Sequence, residues 1–294
     1  MATAAATYSY RASLKSDIAD ELINTWLLRP IAGLIVWALY RTRVTPNQVT
    51  IASTVAGIAA AVVYLQGTAG AIATAGLLVT LKDVLDSADG QLARAKQQYS
   101  RIGRFLDSIG DFVVDVAVFG AIGWLLVRRS GDAIWALAAL AGLIGISLRV
   151  SYHVYYQARF LHLKDSYENN RITEEITPDD LRGDRTTLTL QRIFQMIYGW
   201  QDRLMLAIDY WSLGGHAGAG DSAATRTWYA DRVGLRLSGF LGFGTELFLL
   251  MLFSVVGQLE LYLIVNIFLL NAVWAGCVLY RKFILVRRTN LFTE

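Results

Sequence analysis

The chain has 294 residues, of which 54% are hydrophobic and 17% are charged, and its formal net charge is +3. In a soluble domain about a quarter of the residues are usually charged. The apolar residues also occur in long blocks, so the composition indicates an integral membrane protein and argues against a basic nucleic-acid-binding surface. The single cysteine, Cys277, lies in an apolar stretch, which excludes a disulfide framework and a thiolate metal site.

The first predicted element is an amphipathic helix on the membrane surface. Residues 1–17 lack a continuous apolar stretch, so no cleavable signal peptide is expected. Residues 17–42 mix charged residues with Trp, Leu and Ile and are interrupted near Pro30, which favours a surface helix. The alternative is a short first span, but the apolar stretch at 31–40 is only about half of the roughly 20 residues that a bilayer requires.

Six transmembrane helices are predicted after this surface helix. The sequence TPNQVT at 45–50 starts the first, because Thr45 can act as an N-cap and Pro46 suits the first helical position. The spans are predicted at 47–66, 70–94, 102–127, 133–157, 234–256 and 259–281. A polar insert at about 160–232 separates the fourth span from the fifth, and it contains an amphipathic segment (188–211) and a flexible glycine-rich loop (214–226). The chain is thus divided into a tail with the surface helix at 1–44 and a transmembrane domain at 45–294.

Lysine and arginine residues beside the spans predict the orientation. Basic residues precede the first span, join the second to the third, and follow the fourth and the sixth. With six spans these groups share one side, which the positive-inside rule makes cytoplasmic. Arg128 and Arg129 count against this arrangement but are outnumbered. Both termini, and the charged ends of the second and third spans, are therefore predicted to be cytoplasmic.

The second span ends in two aspartates beside small residues. At about 100° per residue, Asp86, Asp89, Gly90, Ala93 and Arg94 share one side of this helix. The small residues leave room for a bulky ligand to approach the backbone, and an arginine can pair with phosphate oxygens. Charged helix ends that reach water are the simpler explanation for one or two aspartates, but they do not explain this spacing.

The third span places further carboxylates opposite the first pair. Gly103, Asp107 and Asp111 are four residues apart and stack on one face. The short connection from Arg94 predicts that the second and third spans are near neighbours in an antiparallel hairpin. Even one mid-membrane aspartate costs about 2.5–3.5 kcal/mol, so four converging carboxylates require cations. Ligands that are all oxygen atoms suit Mg²⁺ or Mn²⁺, and a pair of such ions can clamp a phosphoryl group.

Eight fixed positions resemble the signature of the CDP-alcohol phosphotransferase family, also called CDP-alcohol phosphatidyltransferases. The pattern in this chain is Asp86-x2-Asp89-Gly90-x2-Ala93-Arg94-x8-Gly103-x3-Asp107-x3-Asp111. The sequence TPNQVT is a weaker match to the start of the family's first core helix. The resemblance implies that an acceptor hydroxyl attacks the β-phosphorus of a CDP-alcohol, that CMP leaves, and that a phosphodiester forms in phospholipid synthesis.

The resemblance also implies roles for individual residues. Two divalent cations, Mg²⁺ or Mn²⁺, would be held by Asp86, Asp89, Asp107 and Asp111, and Asp111 would be the general base in a transmembrane catalytic domain. The CDP group would bind at Gly90, Ala93, Arg94 and Gly103. Family members are commonly homodimers, so a homodimer in contact with membrane lipid is expected.

Two alternatives to a lipid-synthesis enzyme remain open at this point. The same chemistry can join small polar alcohols, such as inositol phosphates. Intramembrane carboxylates are also typical of cation or proton transporters, although acids clustered at one end of the spans, beside Gly90, Ala93 and Arg94, are not what transport requires. The donor and the acceptor are not identified by the sequence.

Several residues around the motif have no assigned role. Lys82 and Asp83 lie one turn before Asp86, and Asp115 lies one turn beyond Asp111. Arg149 near the end of the fourth span is interpreted either as a topology anchor or as a cation for an anionic acceptor, and His153 as a packed or interfacial residue. The tyrosines and tryptophans, including Tyr152, Tyr155, Tyr156 and Trp211, are interpreted as an interfacial aromatic belt.

Overall fold

Long helices form the described part of the chain, which covers residues 8–14, 21, 23–163, 174–214 and 223–288 of a computed structural model. No strand occurs in these ranges. After a helical turn at Tyr10–Ser13, the helices are α1 (Asn24–Leu39), α2 (Pro46–Tyr64), α3 (Ala69–Lys96), α4 (Arg101–Ser130), α5 (Ile134–His162), α6 (Pro178–Arg182), α7 (Arg185–Ser212), α8 (Ala223–Tyr229), α9 (Arg232–Ser238), α10 (Phe243–Val256) and α11 (Leu259–Leu285).

The start of α2 confirms the helix signal in TPNQVT. The Thr45 side chain accepts a hydrogen bond from the backbone N–H of Gln48, and the Gln48 side chain accepts one from the backbone N–H of Thr45. This reciprocal capping box satisfies two backbone donors at the helix start. Pro46 occupies the first turn, where its missing N–H costs nothing.

The connection between α3 and α4 is tight. Helix α3 ends at Gln97, whose backbone is left-handed with φ 54°, and Ser100 caps α4 by accepting from the N–H of Gly103 at 3.2 Å. The two helices are neighbours, as the short connection predicts, because Lys82 of α3 contacts Asp111 of α4. Their backbones are not closely packed in the described residues. Helix α2 packs against both of them instead, and the acidic faces of α3 and α4 line the space left between them.

The largest of the three apolar clusters in the described residues lies away from the charged ends of α3 and α4. It joins α2, α3, α4 and α5 to α10 and α11, with Tyr64, Ile122, Leu250 and Tyr262 fully buried. Glycine permits the closest approach, since a Cβ on Gly57 would lie 2.5 Å from a methyl carbon of Val114. This cluster therefore holds α2, α3 and α4 together on the side away from the acids.

Five helical segments are long and apolar enough to cross a membrane, so the chain is a multi-pass membrane protein. They are Pro46–Tyr64, Arg101–Ser130, Ile134–His162, Thr225–Val256 and Leu259–Leu285. Helix α3 has 28 residues, but its charged half sets it apart from the five. The outward faces are apolar, with Val55, Leu137 and Phe268 more than 60% exposed, as lipid contact requires.

The polar insert is largely helical. The predicted amphipathic segment forms α7, which packs on α4 and α5. Asp184 caps the start of this helix, because its carboxylate accepts a hydrogen bond from the backbone N–H of Thr187 at 2.8 Å. The predicted glycine-rich loop partly lies outside the described residues, at 215–222, and its last residues belong to α8. Trp228 anchors that helix because its indole N–H donates to Asp209. The structure describes the amphipathic segment before α2 from residue 23 onward, and this part forms α1. Pro30 lies in the first turn of its α-helical part, Arg29–Leu39.

Candidate active site

A cleft of about 520 Å³ lies between the charged ends of α3 and α4 and is closed by α5, α7 and the N-terminal segment. Its lining includes the acids Asp83, Asp86, Asp89, Asp107, Asp111 and Asp115, the cations Arg29, Arg94, Arg159 and Arg203, and Gly90, His153, Tyr198 and Asp202. All four predicted motif aspartates therefore face one cavity, as the helical spacing indicated.

Three of the four motif aspartates converge on one point. Ligand oxygens of Asp86, Asp89 and Asp107 all lie within 4.8 Å of one another. The fourth, Asp111, is displaced from this group because its carboxylate contacts the ammonium group of Lys82. The same ammonium lies 3.8 Å from a carboxylate oxygen of Asp86. The cluster thus consists of a three-carboxylate group and an adjacent lysine–aspartate ion pair.

The three-carboxylate group fits a hard divalent cation. The Oδ1 atom of Asp107 is buried and has no hydrogen-bond partner among the described residues, which is costly unless a cation satisfies it. Asp89 is held by the hydroxyl of Thr50, which donates to its Oδ2 atom. Only oxygen atoms are offered, and Mg²⁺ and Mn²⁺ prefer such ligands.

Helix α2 positions the cluster from behind. Its first turns place Thr50 against Asp89 of α3 and Asn47 against Gly103 of α4. A Cβ on Gly103 would overlap the side-chain oxygen of Asn47, so glycine allows α4 to approach α2 here. Sequence reasoning found TPNQVT as a helix start but missed Thr50 as the hydrogen-bond donor to a motif aspartate.

The small residues and the arginine of the motif occupy different places. Gly90 and Arg94 line the cleft, and the Arg94 guanidinium lies over Gly90. Its Nε atom donates to the backbone oxygen of Ser13 at 2.6 Å, so the N-terminal segment reaches the motif. Ala93 and Gly103 are partly buried and are not among the described residues that line the cleft. Their assignment to the CDP group stays a prediction.

The insert forms the opposite wall and is clamped to α4. Arg101 pairs with Asp180 at 2.8 Å and with Glu174 at 3.1 Å, and Arg104 also contacts Glu174. The hydroxyl of Tyr198 on α7 donates to the backbone oxygen of Ser108 at 2.8 Å, one residue after Asp107. We call Arg101, Arg104, Glu174 and Asp180 the clasp. It ties α6 and the residues just before it to α4, the helix that carries two motif aspartates.

Two charged residues on the insert side face the cleft without belonging to the motif. Arg159 and Arg203 line it and bring positive charge opposite the carboxylates. The wall formed by α5 and α7 can therefore contact an anionic ligand.

Arg149 has a different role from the two proposed on sequence grounds. It is fully buried, and its guanidinium donates to Glu246 at 2.9 Å, to Asn271 at 2.7 Å and to the backbone oxygen of Asn266 at 3.0 Å. It therefore ties α5 to α10 and α11 and is neither a topology anchor nor a cleft cation. His153 is buried, as expected for a packed residue, and its Nδ1 lies 3.1 Å from the Ser238 hydroxyl.

The aromatic belt interpretation fails for the tyrosines of α5. Tyr155 and Tyr156 are buried and donate to the carboxylate of Asp209 at 3.1 Å and 2.7 Å. Trp228 and Tyr229 donate to the same carboxylate at 2.9 Å and 2.6 Å. Tyr152 is buried too, whereas Trp211 is half exposed and contacts Lys282. The tyrosines thus fasten the insert to α5.

The described residues form a helical membrane protein with an acidic cleft whose carboxylates could hold a cation. The profile of the family described as CDP-alcohol phosphatidyltransferase matches residues 43–208, which is more than half of the chain. The chain therefore belongs to the CDP-alcohol phosphatidyltransferase family, and the resemblance in the motif is confirmed.

Individual relatives each match less than half of the chain. The bifunctional IPC transferase and DIPP synthase of Thermococcus kodakarensis is 36% identical over 133 residues, which are 45% of this chain and 29% of that protein. The phosphatidylinositol phosphate synthase of Corynebacterium glutamicum is 37% identical over 113 residues, 38% of this chain and 48% of that protein. That of Mycobacteroides abscessus is 35% identical over 123 residues, 42% of this chain and 55% of that protein. The matches thus span about half of these relatives or less.

Proposed function

We propose that this chain is a metal-dependent phosphotransferase of lipid synthesis that transfers a substituted phosphate group from a CDP-alcohol to an acceptor hydroxyl and releases CMP. The observation that supports this most directly is the convergence of Asp86, Asp89 and Asp107 around the orphaned Oδ1 atom of Asp107. Membership of the family supplies the reaction class.

In this proposal the motif residues divide into three groups by role. Asp86, Asp89, Asp107 and Asp111 hold two divalent cations, Mg²⁺ or Mn²⁺, which neutralise charge on the two phosphates and stabilise the leaving group. Gly90, Ala93, Arg94 and Gly103 accommodate the CDP group, with the Arg94 guanidinium on a phosphate oxygen.

Asp111 is the proposed general base. The acceptor oxygen attacks the β-phosphorus and passes its proton to Asp111, while the bond from that phosphorus to the bridging oxygen breaks. The bridging oxygen leaves with CMP, so atoms and electrons balance. Asp111 must then exchange its contact with Lys82 for one with the acceptor hydroxyl.

The acceptor in this proposal is an inositol phosphate, and the donor is CDP-diacylglycerol or another lipid CDP-alcohol. The names of the Corynebacterium and Mycobacteroides relatives include phosphatidylinositol phosphate. Arg159 and Arg203 add positive charge to the cleft wall, which favours an acceptor that bears phosphate.

The proposed setting is a six-span transmembrane catalytic domain at 45–294, preceded by the tail and surface helix at 1–44. Helix α3 is the sixth span, although its charged half distinguishes it from the five apolar segments. Both termini and the cleft are cytoplasmic in this proposal, which the basic residues beside the spans support. The lipid tail of the donor stays in the bilayer, and two chains form a homodimer.

A cation transporter is the rival from another class. It requires access to the carboxylates from both membrane faces. The cleft lies at the charged ends of α3 and α4, and the apolar core beneath it favours the enzyme.

The test is CMP release by the purified protein in Mg²⁺ or Mn²⁺ across a panel of CDP-alcohols and acceptors. We expect CMP and phosphodiester in equal amounts with CDP-diacylglycerol and an inositol phosphate, and little turnover by Asp111→Asn. Asp179→Asn, at an exposed site on α6, is the matched control and should match the wild type. Absence of CMP with every pair, or full turnover by Asp111→Asn, contradicts the proposal.

A further inference from the structure

Lys82 is a buried cation inside the acidic cluster. Its side chain is 1% exposed, its ammonium group contacts Asp111 and lies 3.8 Å from Asp86, and the ring centroid of Phe243 on α10 lies 4.5 Å from it. The hydroxyl of Ser53 on α2 donates to the backbone oxygen of Lys82 at 2.9 Å. A lysine is rarely buried to this extent unless its charge is paired.

The contact with Lys82 separates Asp111 from the other three motif aspartates. Asp86, Asp89 and Asp107 offer oxygens within 4.8 Å of one another, and Asp111 is outside this group. An ammonium group on the Asp111 carboxylate and a divalent cation on the same oxygen repel each other. A second ion can therefore use Asp111 only if the ammonium moves.

Two further carboxylates offer the ammonium another position. Asp83 and Asp115 are buried, line the cleft, and are close enough to Lys82 to interact with its charge. Neither is a fixed position of the motif. Six aspartates of α3 and α4 line the cleft, so two divalent ions leave negative charge on these helices that a lysine can offset.

We propose that Lys82 is an internal counter-cation that occupies Asp111 in the absence of the second divalent ion and moves to Asp83 and Asp115 when that ion binds. The inference rests on the proposed function for its metal site. Competition from Lys82 would make the second ion bind more weakly than the first. Asp83 and Asp115 would pair with the ammonium group after it leaves Asp111. These three residues are thus positioning residues for Asp111 and take no direct part in the transfer.

The test is a Mn²⁺ titration of the purified protein in detergent, with free Mn²⁺ measured by electron paramagnetic resonance. The neutral variant Lys82→Met should bind the second ion at least tenfold more tightly, because the competing charge is gone. The first ion should change less, since Asp89 and Asp107 lie farther from the pair. Lys82→Arg keeps the positive charge, so its affinity for the second Mn²⁺ should stay as weak as that of the wild type.

The matched control is Lys96→Met, which removes a lysine from the same helix outside the cleft. The Lys96 ammonium donates to the backbone oxygens of Thr42 and Val44 at 3.0 Å and 2.7 Å. Both ion affinities should equal those of the wild type. Gel filtration and the thermal unfolding midpoint check folding, and Lys82→Gln replaces Lys82→Met if the latter does not fold.

A double-mutant cycle tests the second position of the ammonium. Asp115→Asn should weaken the second ion in the wild-type background, and this effect should shrink at least threefold in the Lys82→Met background. An equal effect in both backgrounds overturns the role given to Asp115.

The outcomes separate this inference from the proposed function. If Mn²⁺ binds but Lys82→Met leaves the second ion unchanged or weaker, Lys82 is not a competing cation and the proposed function stands. If neither protein binds Mn²⁺, both ideas fail. If Lys82→Met alone binds a second ion, the inference is supported in its strongest form.

Discussion

Removal of the Thr50 hydroxyl should weaken metal binding without disturbing the fold. Thr50 is buried on α2, and its hydroxyl donates to the Oδ2 atom of Asp89, one of the three converging carboxylates. Thr50→Val keeps the shape of the side chain and deletes the donor. A hydrogen bond to a charged group contributes about 1.5–3 kcal/mol, which corresponds to roughly a 10- to 150-fold change in an equilibrium constant.

The assay is the dependence of CMP release on free Mg²⁺. The apparent dissociation constant for Mg²⁺ should rise by about 10- to 100-fold in Thr50→Val, which is the range typical of groups that orient a metal ligand. Thr50→Ser retains the hydroxyl and should stay within about threefold of the wild type, because the donor to Asp89 remains. Thr54→Val removes a hydroxyl one turn further along α2, which donates to the backbone oxygen of Thr50 at 3.1 Å, and should have little effect. An unchanged Mg²⁺ constant for Thr50→Val refutes the idea that Thr50 orients a metal ligand.

Three further predictions concern residues around the cluster. Glu174→Gln weakens the clasp between α4 and the insert residues around α6, so the acceptor KM should rise about three- to tenfold with kcat little changed, as steady-state kinetics can test; an unchanged KM contradicts this role. Arg94→Lys should raise the donor KM by about tenfold or more, because an ammonium cannot bind two phosphate oxygens as a guanidinium does, and an equal rise in acceptor KM would count against it. Asp209→Asn should destabilise the protein by about 1–3 kcal/mol and lower its unfolding midpoint by several degrees, because an amide cannot accept all four hydrogen bonds; unaltered Mn²⁺ affinity is the control.

Local sequence patterns predicted where helices begin and that the motif aspartates face one another. Thr45 and Pro46 start α2 as expected, and the spacing of Asp86, Asp89 and Asp107 brings their oxygens together. Both rest on interactions between residues within a few positions along the chain, or on the fixed geometry of a helix. The sequence could not indicate that α2 packs against both α3 and α4, since that depends on how three helices pack.

Contacts between distant segments were missed for the same reason. Glu174 is 70 positions from Arg104, and Ser13 is 81 positions from Arg94. Nothing local in the insert distinguishes a clasp residue from any other acid in a polar segment. The buried ion pair of Arg149 and Glu246 was missed as well. An arginine near the end of a span usually lies at the membrane surface, so its position along the chain did not indicate a buried partner. Lys82 did carry a local signal, its position four residues before Asp86, but the contact with Asp111 lies across the cleft.

CMP release measured against free Mg²⁺, with the wild type and Asp107→Asn side by side, tests the central claim most directly. The carboxylate group around Asp107 predicts no CMP in excess chelator, recovery on addition of Mg²⁺, and a loss of at least about a thousandfold in Asp107→Asn, as expected when a metal ligand for phosphoryl transfer is removed. Persistent CMP release in chelator, or wild-type turnover by Asp107→Asn, would contradict it.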